Sequence, residues 1–245
     1  MYWMQRDARA ADHQVFDWYV KPGMTVVDVG ANIGALTVHV SRLTGPIGRV
    51  IAFEAHPTTF GYLAGNIRLN ACTNVDARNV ALGAEPGSAF FSDFTQDDIN
   101  HVVDQLDNSQ SDPMYGRRRS GGVEVRVDTL DELMDGTRVD FLKIDVEGYE
   151  KFVLQGGTVT LASAECVYIE SFEREFAKYG YHNRDVLELL HRAGLSIFRY
   201  DGRVWKLIGT DHVSETVENL LALRDPSLAQ QWSGSLQTRL ATARS

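Results

Sequence analysis

Three apolar runs that each end in a polar loop constrain the fold of this chain more than any other feature. They are VVDVGANIG at 26–34, FEAHP at 53–57 and KIDVEGYE at 143–150. Each has the composition of a β-strand that leaves a sheet at an acidic residue, a glycine or an asparagine. About 25 residues separate the first two loops, which is room for one crossover helix between parallel strands. The sequence therefore predicts an open α/β sheet whose strand ends bring the three loops together in one ligand crevice.

The first of these loops indicates the kind of ligand. A dinucleotide fingerprint reads G-x-G-x-x-G, because its second glycine lets the backbone approach a pyrophosphate. Here the middle glycine is replaced, since the loop reads Gly30-Ala-Asn32-Ile-Gly34. Such a loop suits S-adenosylmethionine, which has no phosphate and carries a cationic sulfonium and a cationic amino group. We predict that Gly30, Asn32 and Gly34 bind this donor, with the acidic Asp28 beside its positive charges. A plainer interpretation of Asp28 is a cap on the following helix.

The second and third strand ends should complete the donor site. Glu54 ends the second strand and can accept hydrogen bonds from both ribose hydroxyls, although NAD-binding proteins also carry an acidic residue there. The alternative is a solvated carboxylate at a strand end. The third predicted strand, at 74–83, ends near Ala81, which we expect beside the adenine.

The remaining segments continue the α/β pattern. Buried strands are predicted at 141–146 and 166–172, and Asp201-Gly202 lies between two strand-like runs in 195–209, which predicts a hairpin. Parallel strands followed by an antiparallel hairpin indicate a Rossmann-like class I methyltransferase fold. The expected sheet is mostly parallel, with seven strands in the order 3-2-1-4-5-7-6 and helices on both faces.

A polar stretch at 95–121, rich in Ser, Asp and Asn, interrupts this pattern. Segments of this length without secondary structure inside a compact domain are typically lids, binding loops or disordered segments. We therefore predict one domain over 1–225 with an inserted lid at about 88–127, and a C-terminal tail at 226–245. The arginine triplet at 117–119 suits either a phosphate group or a plain solvated loop.

Charge and hydropathy exclude several partners. The net charge of -9 argues against nucleic acid, because neutralising phosphates requires a basic face. No stretch of 18 apolar residues occurs, and the N-terminus lacks the apolar segment of a secretory signal. We therefore expect no membrane partner and a cytoplasmic location, with Cys72 and Cys166 as buried reduced thiols. A homo-oligomer remains open.

Taken together, these segments resemble the FkbM family of S-adenosylmethionine-dependent methyltransferases. The similarity runs over about 20–210 and includes NIRLN at 66–70, VALG at 80–83, VDTLDEL at 127–133 and KIDVEGYEKFVLQGG at 143–157. It places the donor residues named above in the family's donor segments, and Asp145 and Glu147 in its DVEG segment. The resemblance implies O-methylation of a hydroxyl on a sugar, glycan or polyketide-like natural product. The insertion has no counterpart in the family pattern, so the acceptor stays open.

Attack by a hydroxyl requires a group that accepts its proton. The candidates in the predicted crevice are Asp145, Glu147, Glu170 and His101, the last delivered by the insertion. We expect the DVEG carboxylates to orient the acceptor and either His101 or Glu147 to act as the base. A solvent-facing loop histidine is an equally simple interpretation of His101. The three carboxylates are also suitable ligands for Mg²⁺, but they fit beside a sulfonium without one, so we predict no metal.

Two other functions are weighed against methyl transfer. An NAD-dependent epimerase or dehydrogenase would need the full glycine fingerprint and a Tyr-x-x-x-Lys pair, and the chain has neither. A non-catalytic S-adenosylmethionine-binding module would bind the donor without turnover. The intact DVEG segment and Glu170 favour an enzyme over such a module.

Overall fold

The computed structural model describes residues 14–92, 102–103 and 122–232. Its helices are α1 (residues 14–19), α2 (Ala35–Thr44), α3 (Pro57–Leu69), α4 (Leu130–Met134), α5 (Glu150–Gln155), α6 (Thr158–Ser163), α7 (Glu173–Lys178), α8 (Asn183–Arg192) and α9 (residues 227–232). Its strands are β1 (Thr25–Val29), β2 (Arg49–Phe53), β3 (Val75–Arg78), β4 (Ala81–Leu82), β5 (Gly87–Ser92), β6 (Val102–Val103), β7 (Gly122–Asp128), β8 (Phe141–Ile144), β9 (Cys166–Ser171), β10 (Ser196–Tyr200), β11 (Trp205–Leu207) and β12 (Glu218–Leu223).

The main sheet has eight strands in the order β11-β10-β12-β9-β8-β1-β2-β3. Five neighbouring strands of this sheet are parallel to one another, namely β3, β2, β1, β8 and β9. Strand β12 pairs antiparallel with both β9 and β10. When the edge strand β11 is left out of the count, β8, β9, β10 and β12 are the fourth to seventh strands of this sheet. The order is then 3-2-1-4-5-7-6. The Rossmann-like class I methyltransferase fold is confirmed, with β11 as an additional edge strand.

The last strands differ from the prediction. The Asp201-Gly202 turn joins β10 to β11 as an antiparallel hairpin, but the strand beside β9 is β12, whose sequence ENLLAL we had not predicted as a strand. Its last four residues, 220–223, are fully buried, as expected for a strand covered on both faces. A short continuous apolar run carries no alternation, so its periodicity does not identify it as a strand.

A second sheet has the strand order β4-β7-β5-β6. Two of its strands, β5 and β7, flank the polar stretch at 95–121. β5 and β7 pair antiparallel from Gly87↔Val127 to Ser92↔Gly122. The single strand predicted at 74–83 is in fact divided, since β3 stays in the main sheet and β4 pairs with β7. The start and end of the insertion are therefore anchored in a sheet.

Apolar clusters cover both faces of the main sheet. Successive residues of β8 alternate, so that Phe141 packs with α1 and α2 while Leu142 packs with α5, α6 and α8. Helix α9 belongs to the first of these clusters through Ala229 and Trp232, which are 1% and 3% exposed. The packed domain thus continues past residue 226, where the sequence predicted a tail. Among the helices of the described ranges, none is long and apolar enough to cross a bilayer.

Candidate active site

A cavity of about 250 Å³ lies where β1, β2 and β8 end. The three polar loops predicted to converge all contribute to its wall. Of the predicted site residues, those lining it are Gly30, Asn32, Glu54, Ala81, Asp145 and Glu147. Asp28, Gly34 and Glu170 are not among the lining residues, and His101 and the arginines at 117–119 lie outside the described residues.

The loop after β1 needs its glycines for close approach. Gly30 has φ +75°, and a Cβ there would lie 1.8 Å from the backbone oxygen of Asp145. Gly34 has φ +86° and contacts Leu63 of α3 in the same way, since a Cβ would lie 2.5 Å from Leu63 Cδ1. Gly34 therefore serves the packing of the loop against α3, while Gly30 joins the loop to the DVEG segment.

Glu54 organises this loop from the end of β2. The N–H of Asn32 donates to Glu54 Oε2 at 2.9 Å, and the N–H of His56 donates to Glu54 Oε1 at 2.9 Å. Only 9% of Glu54 is exposed, and this burial raises its pKa above the usual range. The alternative of a solvated carboxylate is therefore wrong. Each carboxylate oxygen keeps a second lone pair for a ligand hydroxyl.

Asp28 lies beneath the cavity floor. The hydroxyl of Thr37 donates to Asp28 Oδ2 at 2.6 Å, and the ammonium of Lys143 is 3.4 Å from Asp28 Oδ1. With 2% exposure, Asp28 is not among the residues that line the cavity, whereas Lys143, which contacts it, is. The interpretation of Asp28 as a helix cap is wrong, because Gly34 occupies the N-cap of α2 without a side-chain cap.

Lys143 was not predicted as a site residue, although a charge inside the apolar strand FLKI was the available signal. Its ammonium donates to the carbonyl of Gly30 at 2.9 Å and lies 3.3 Å from Asp145 Oδ2. Burial would lower the pKa of Lys143, but the carboxylates of Asp145 and Asp28 raise it above its usual range. Lys143 is thus a buried, permanent cation that joins the ends of β1 and β8.

The DVEG turn is fixed from several sides. Glu147 has φ 54°, a conformation that residues other than glycine rarely adopt. Behind it, the fully buried Glu150 accepts the N–H of Val146 at 2.9 Å, and the hydroxyl of Tyr181 donates to the carbonyl of Gly148 at 2.7 Å. The strained backbone of Glu147 is therefore held by its surroundings, as is common in functional loops.

Three predicted catalytic carboxyls come together beside this turn. One oxygen from each of Asp145, Glu147 and Glu170 lies within 4.8 Å of the others. Burial, and then the charge of Asp145, raises the pKa of Glu147 to about 8 and the pKa of Glu170 well above its usual range. Perturbed carboxyl groups of this kind are common at sites of proton transfer.

The rest of the cavity wall is mostly apolar and includes several aromatic residues. Phe16, Tyr149 and Tyr168 line it from the main sheet and its flanking segments, and Phe91 lines it from the second sheet. Asn219 also contributes, from the strand β12 that the sequence analysis missed. It pairs in register with Glu170, so this strand brings an amide to the carboxyl cluster.

The sequence matches the Methyltransferase FkbM domain over residues 28–197. The chain belongs to the FkbM methyltransferase family. The residues at the cavity are compatible with the donor that the resemblance implies, S-adenosylmethionine, because the loop lacks the phosphate-binding glycine, Glu54 offers acceptor oxygens, and the cavity floor is acidic.

Two relatives of this FkbM chain are named methyltransferases. Methyltransferase 1 of Beauveria bassiana (strain ARSEF 2860) is 31% identical over 143 residues, which cover 54% of this chain and 57% of that protein. Methyltransferase sdnD of Sordaria araneosa is 30% identical over 154 residues, which cover 54% of this chain and 59% of that protein. The FkbM chain thus spans less than two thirds of the length of either relative.

Solved structures share its fold at low sequence identity. A putative rRNA-methylase from Clostridium thermocellum superposes with a TM-score of 0.52 and 13% identity, covering 88% of this chain and 95% of that one. At this identity the similarity concerns the fold alone.

Replacing Glu54 with alanine in the FkbM protein is expected to weaken binding of S-adenosylhomocysteine at least about tenfold. The variant loses an acceptor for the ribose and leaves the N–H groups of Asn32 and His56 without their carboxylate; hydrogen bonds to charged groups contribute about 1.5–3 kcal/mol each. Titration calorimetry measures the affinity. Glu54→Gln is the matched control, because it keeps one acceptor oxygen and should lose less, and NAD serves as a ligand that does not bind. An alanine variant with wild-type affinity would remove Glu54 from the donor site.

Proposed function

We propose that this FkbM methyltransferase transfers a methyl group to a hydroxyl of a sugar, a glycan or a polyketide-like natural product. The observation that carries the proposal is the carboxyl cluster beside the cavity, in which the pKa of Glu147 is about 8. An alcohol has a pKa near that of water, about 15.7, so its proton must leave as the oxygen attacks. A carboxylate with a raised pKa is a stronger base than an ordinary one and suits this task.

S-adenosylmethionine, when bound, supplies an electrophilic methyl group on a sulfonium. Glu54 would hold the ribose, and Ala81 would lie against the adenine at the side of the second sheet. The transfer of this methyl group is a displacement, and its rate depends mainly on placing the acceptor oxygen in line with the methyl group. The fixed loops after β1 and β8 would therefore carry much of the catalysis.

Among the carboxyls, Glu147 is the best candidate for the base. Asp145 is already paired with Lys143, and Glu170 does not line the cavity. Glu147 does line it, on a backbone held in the left-handed region. Asp145, which also lines the cavity, would then orient the acceptor. A role for His101 remains a prediction from the sequence.

The cavity wall supports a sugar-like acceptor. Aromatic faces pack against the apolar face of a sugar ring, while carboxyl groups bind its hydroxyls. Phe16, Tyr149 and Tyr168 line the same cavity as Asp145 and Glu147. The net charge of -9 does not favour a nucleic-acid acceptor. We also propose that no metal takes part, because a proton on Glu147, whose pKa is about 8, would compete with Mg²⁺ for the same oxygens.

The test is a methyl-transfer assay with labelled donor and a panel of glycosides and macrolide-type alcohols, run with and without a chelator. The expected product is a methyl ether, formed equally in both conditions. Exclusive methylation of an amine, a carbon atom or RNA would contradict the proposal. Donor binding without transfer to any alcohol would instead favour the non-catalytic alternative.

A further inference from the structure

A lysine side chain sits in the floor of a cavity whose donor is itself positively charged. Only 8% of Lys143 is exposed, yet it lines the cavity. An uncompensated cation at this position would repel the sulfonium. Its surroundings therefore decide what Lys143 does to donor binding.

Those surroundings consist of two carboxylates and two backbone carbonyls. The ammonium lies 3.4 Å from Asp28 Oδ1 and 3.3 Å from Asp145 Oδ2, and it donates to Gly30 O at 2.9 Å and to Val29 O at 3.4 Å. Two negative charges and one positive charge leave the group with one net negative charge. Asp28 is buried at 2% exposure, whereas the side chain of Asp145 is 39% exposed and faces the cavity.

We propose that Lys143 is a positioning residue that sets the charge of the cavity floor. It compensates the buried Asp28 and holds Asp145, so that a single net negative charge lies at the cavity and favours the cationic donor over its neutral product. The proposal rests on the donor site assigned above. It extends that site to a discrimination between S-adenosylmethionine and S-adenosylhomocysteine, which helps the product to leave.

A role for Lys143 as a proton-transfer group does not fit these contacts. The two carboxylates raise the pKa of Lys143, so it stays protonated and cannot act as a base near neutral pH. Its hydrogen bond to Gly30 also ties the loop after β1 to β8 at the point where the two backbones touch. The side chain of Lys143 thus sets both the charge of the cavity floor and the position of the loop after β1.

The test compares the dissociation constants of donor and product by titration calorimetry. The two ligands differ only in the methyl group and its positive charge, so the ratio of product Kd to donor Kd isolates the effect of the sulfonium. Lys143→Met raises the negative charge of the floor by one and should increase this ratio about tenfold, the effect of one unit charge roughly 10 Å away at an effective dielectric constant of about 20. Asp145→Asn should decrease the ratio by a similar factor.

Matched variants separate charge from shape. The double variant Asp28→Asn with Lys143→Met keeps one net negative charge and should keep the wild-type ratio within about twofold, even if both affinities fall. Lys143→Arg should also keep the ratio. Lys206→Met removes an exposed lysine whose ion pair with Asp201 lies in the β10–β11 hairpin, and it should change neither affinity.

The outcomes distinguish this inference from the proposed function. A folded Lys143→Met variant with the wild-type ratio overturns the inference, as does a double variant that shifts the ratio as much as the single one. If Lys143→Met does not fold, an Asp145→Asn variant with the wild-type ratio overturns it equally well. In each of these cases the wild-type protein still binds both ligands and methylates its acceptor, so the proposed function would stand. A wild-type protein that binds neither ligand would instead contradict the donor site itself.

Discussion

Replacing Glu147 with glutamine is expected to lower kcat by roughly 10²- to 10⁴-fold, the usual contribution of a positioned general base. Glutamine has nearly the same shape, so the strain at φ 54° is shared by the two proteins, and only the proton acceptor is lost. Donor affinity should stay within about twofold. Steady-state kinetics and calorimetry with S-adenosylhomocysteine measure the two effects. A variant that keeps more than about a tenth of the wild-type kcat would show that another group takes the proton.

The same residue should set the pH dependence. Because the pKa of Glu147 is about 8 and the base acts in its ionised form, kcat should rise about tenfold per unit of pH below this value and level off above it. The rising limb should be absent from the glutamine variant.

The free energy of unfolding should change with pH in the opposite direction. Because the pKa of Glu147 is higher in the folded than in the unfolded protein, protonation of this residue stabilises the folded state. This stabilisation is complete below about pH 4.5 and is lost as the pH rises towards 8. The buried Glu150, whose pKa burial also raises to about 8, acts in the same sense.

Gly30→Ala is the second change with a large expected effect. Its Cβ would lie 1.8 Å from the backbone oxygen of Asp145, so the loops after β1 and β8 must separate. We expect a loss of about 3 kcal/mol or more in the free energy of unfolding and no measurable donor binding. Thermal and urea unfolding, with calorimetry on the folded protein, measure both.

Gly136→Ala is the matched control for this change. Gly136 has φ +72°, close to the +75° of Gly30, but a Cβ there has no neighbour within 4 Å. It should therefore show only the cost of the left-handed backbone, about 1–2 kcal/mol, with unchanged donor binding. If the two alanine variants lose equal stability and bind the donor equally, the close approach at Gly30 has no importance for the site.

The convergence of the three loops was predictable from the sequence because it depends on local patterns. An apolar run that ends in an acidic or glycine residue marks a strand end, and parallel strands end at the same edge of a sheet. The same argument correctly placed Glu54 and Asp145 at the cavity. The strand order also followed, apart from β12, whose uninterrupted apolar run gave no periodicity.

What the sequence did not show were contacts between distant segments. Asp28 was expected beside the positive charges of the donor, but its contacts with Thr37 and Lys143 could not be predicted. The role of Lys143 depends on β1 and β8 being neighbours with Asp28 and Lys143 in register, which no local pattern encodes. Likewise, the packing of Trp232 against the main sheet was invisible in a polar C-terminal sequence.

The second sheet holds the two ends of the segment that lies between β5 and β7. Ser92 and Gly122 are paired in the β5–β7 ladder, so the two ends of the segment between them lie side by side in this sheet. The entropy of closing such a segment grows only slowly with its length, and each doubling costs about 0.6 kcal/mol. Changes of length in that segment outside β6 would leave the strands of both sheets and the loops that line the cavity unchanged. The fold can therefore vary in length between β5 and β7 independently of the loops after β1, β2 and β8.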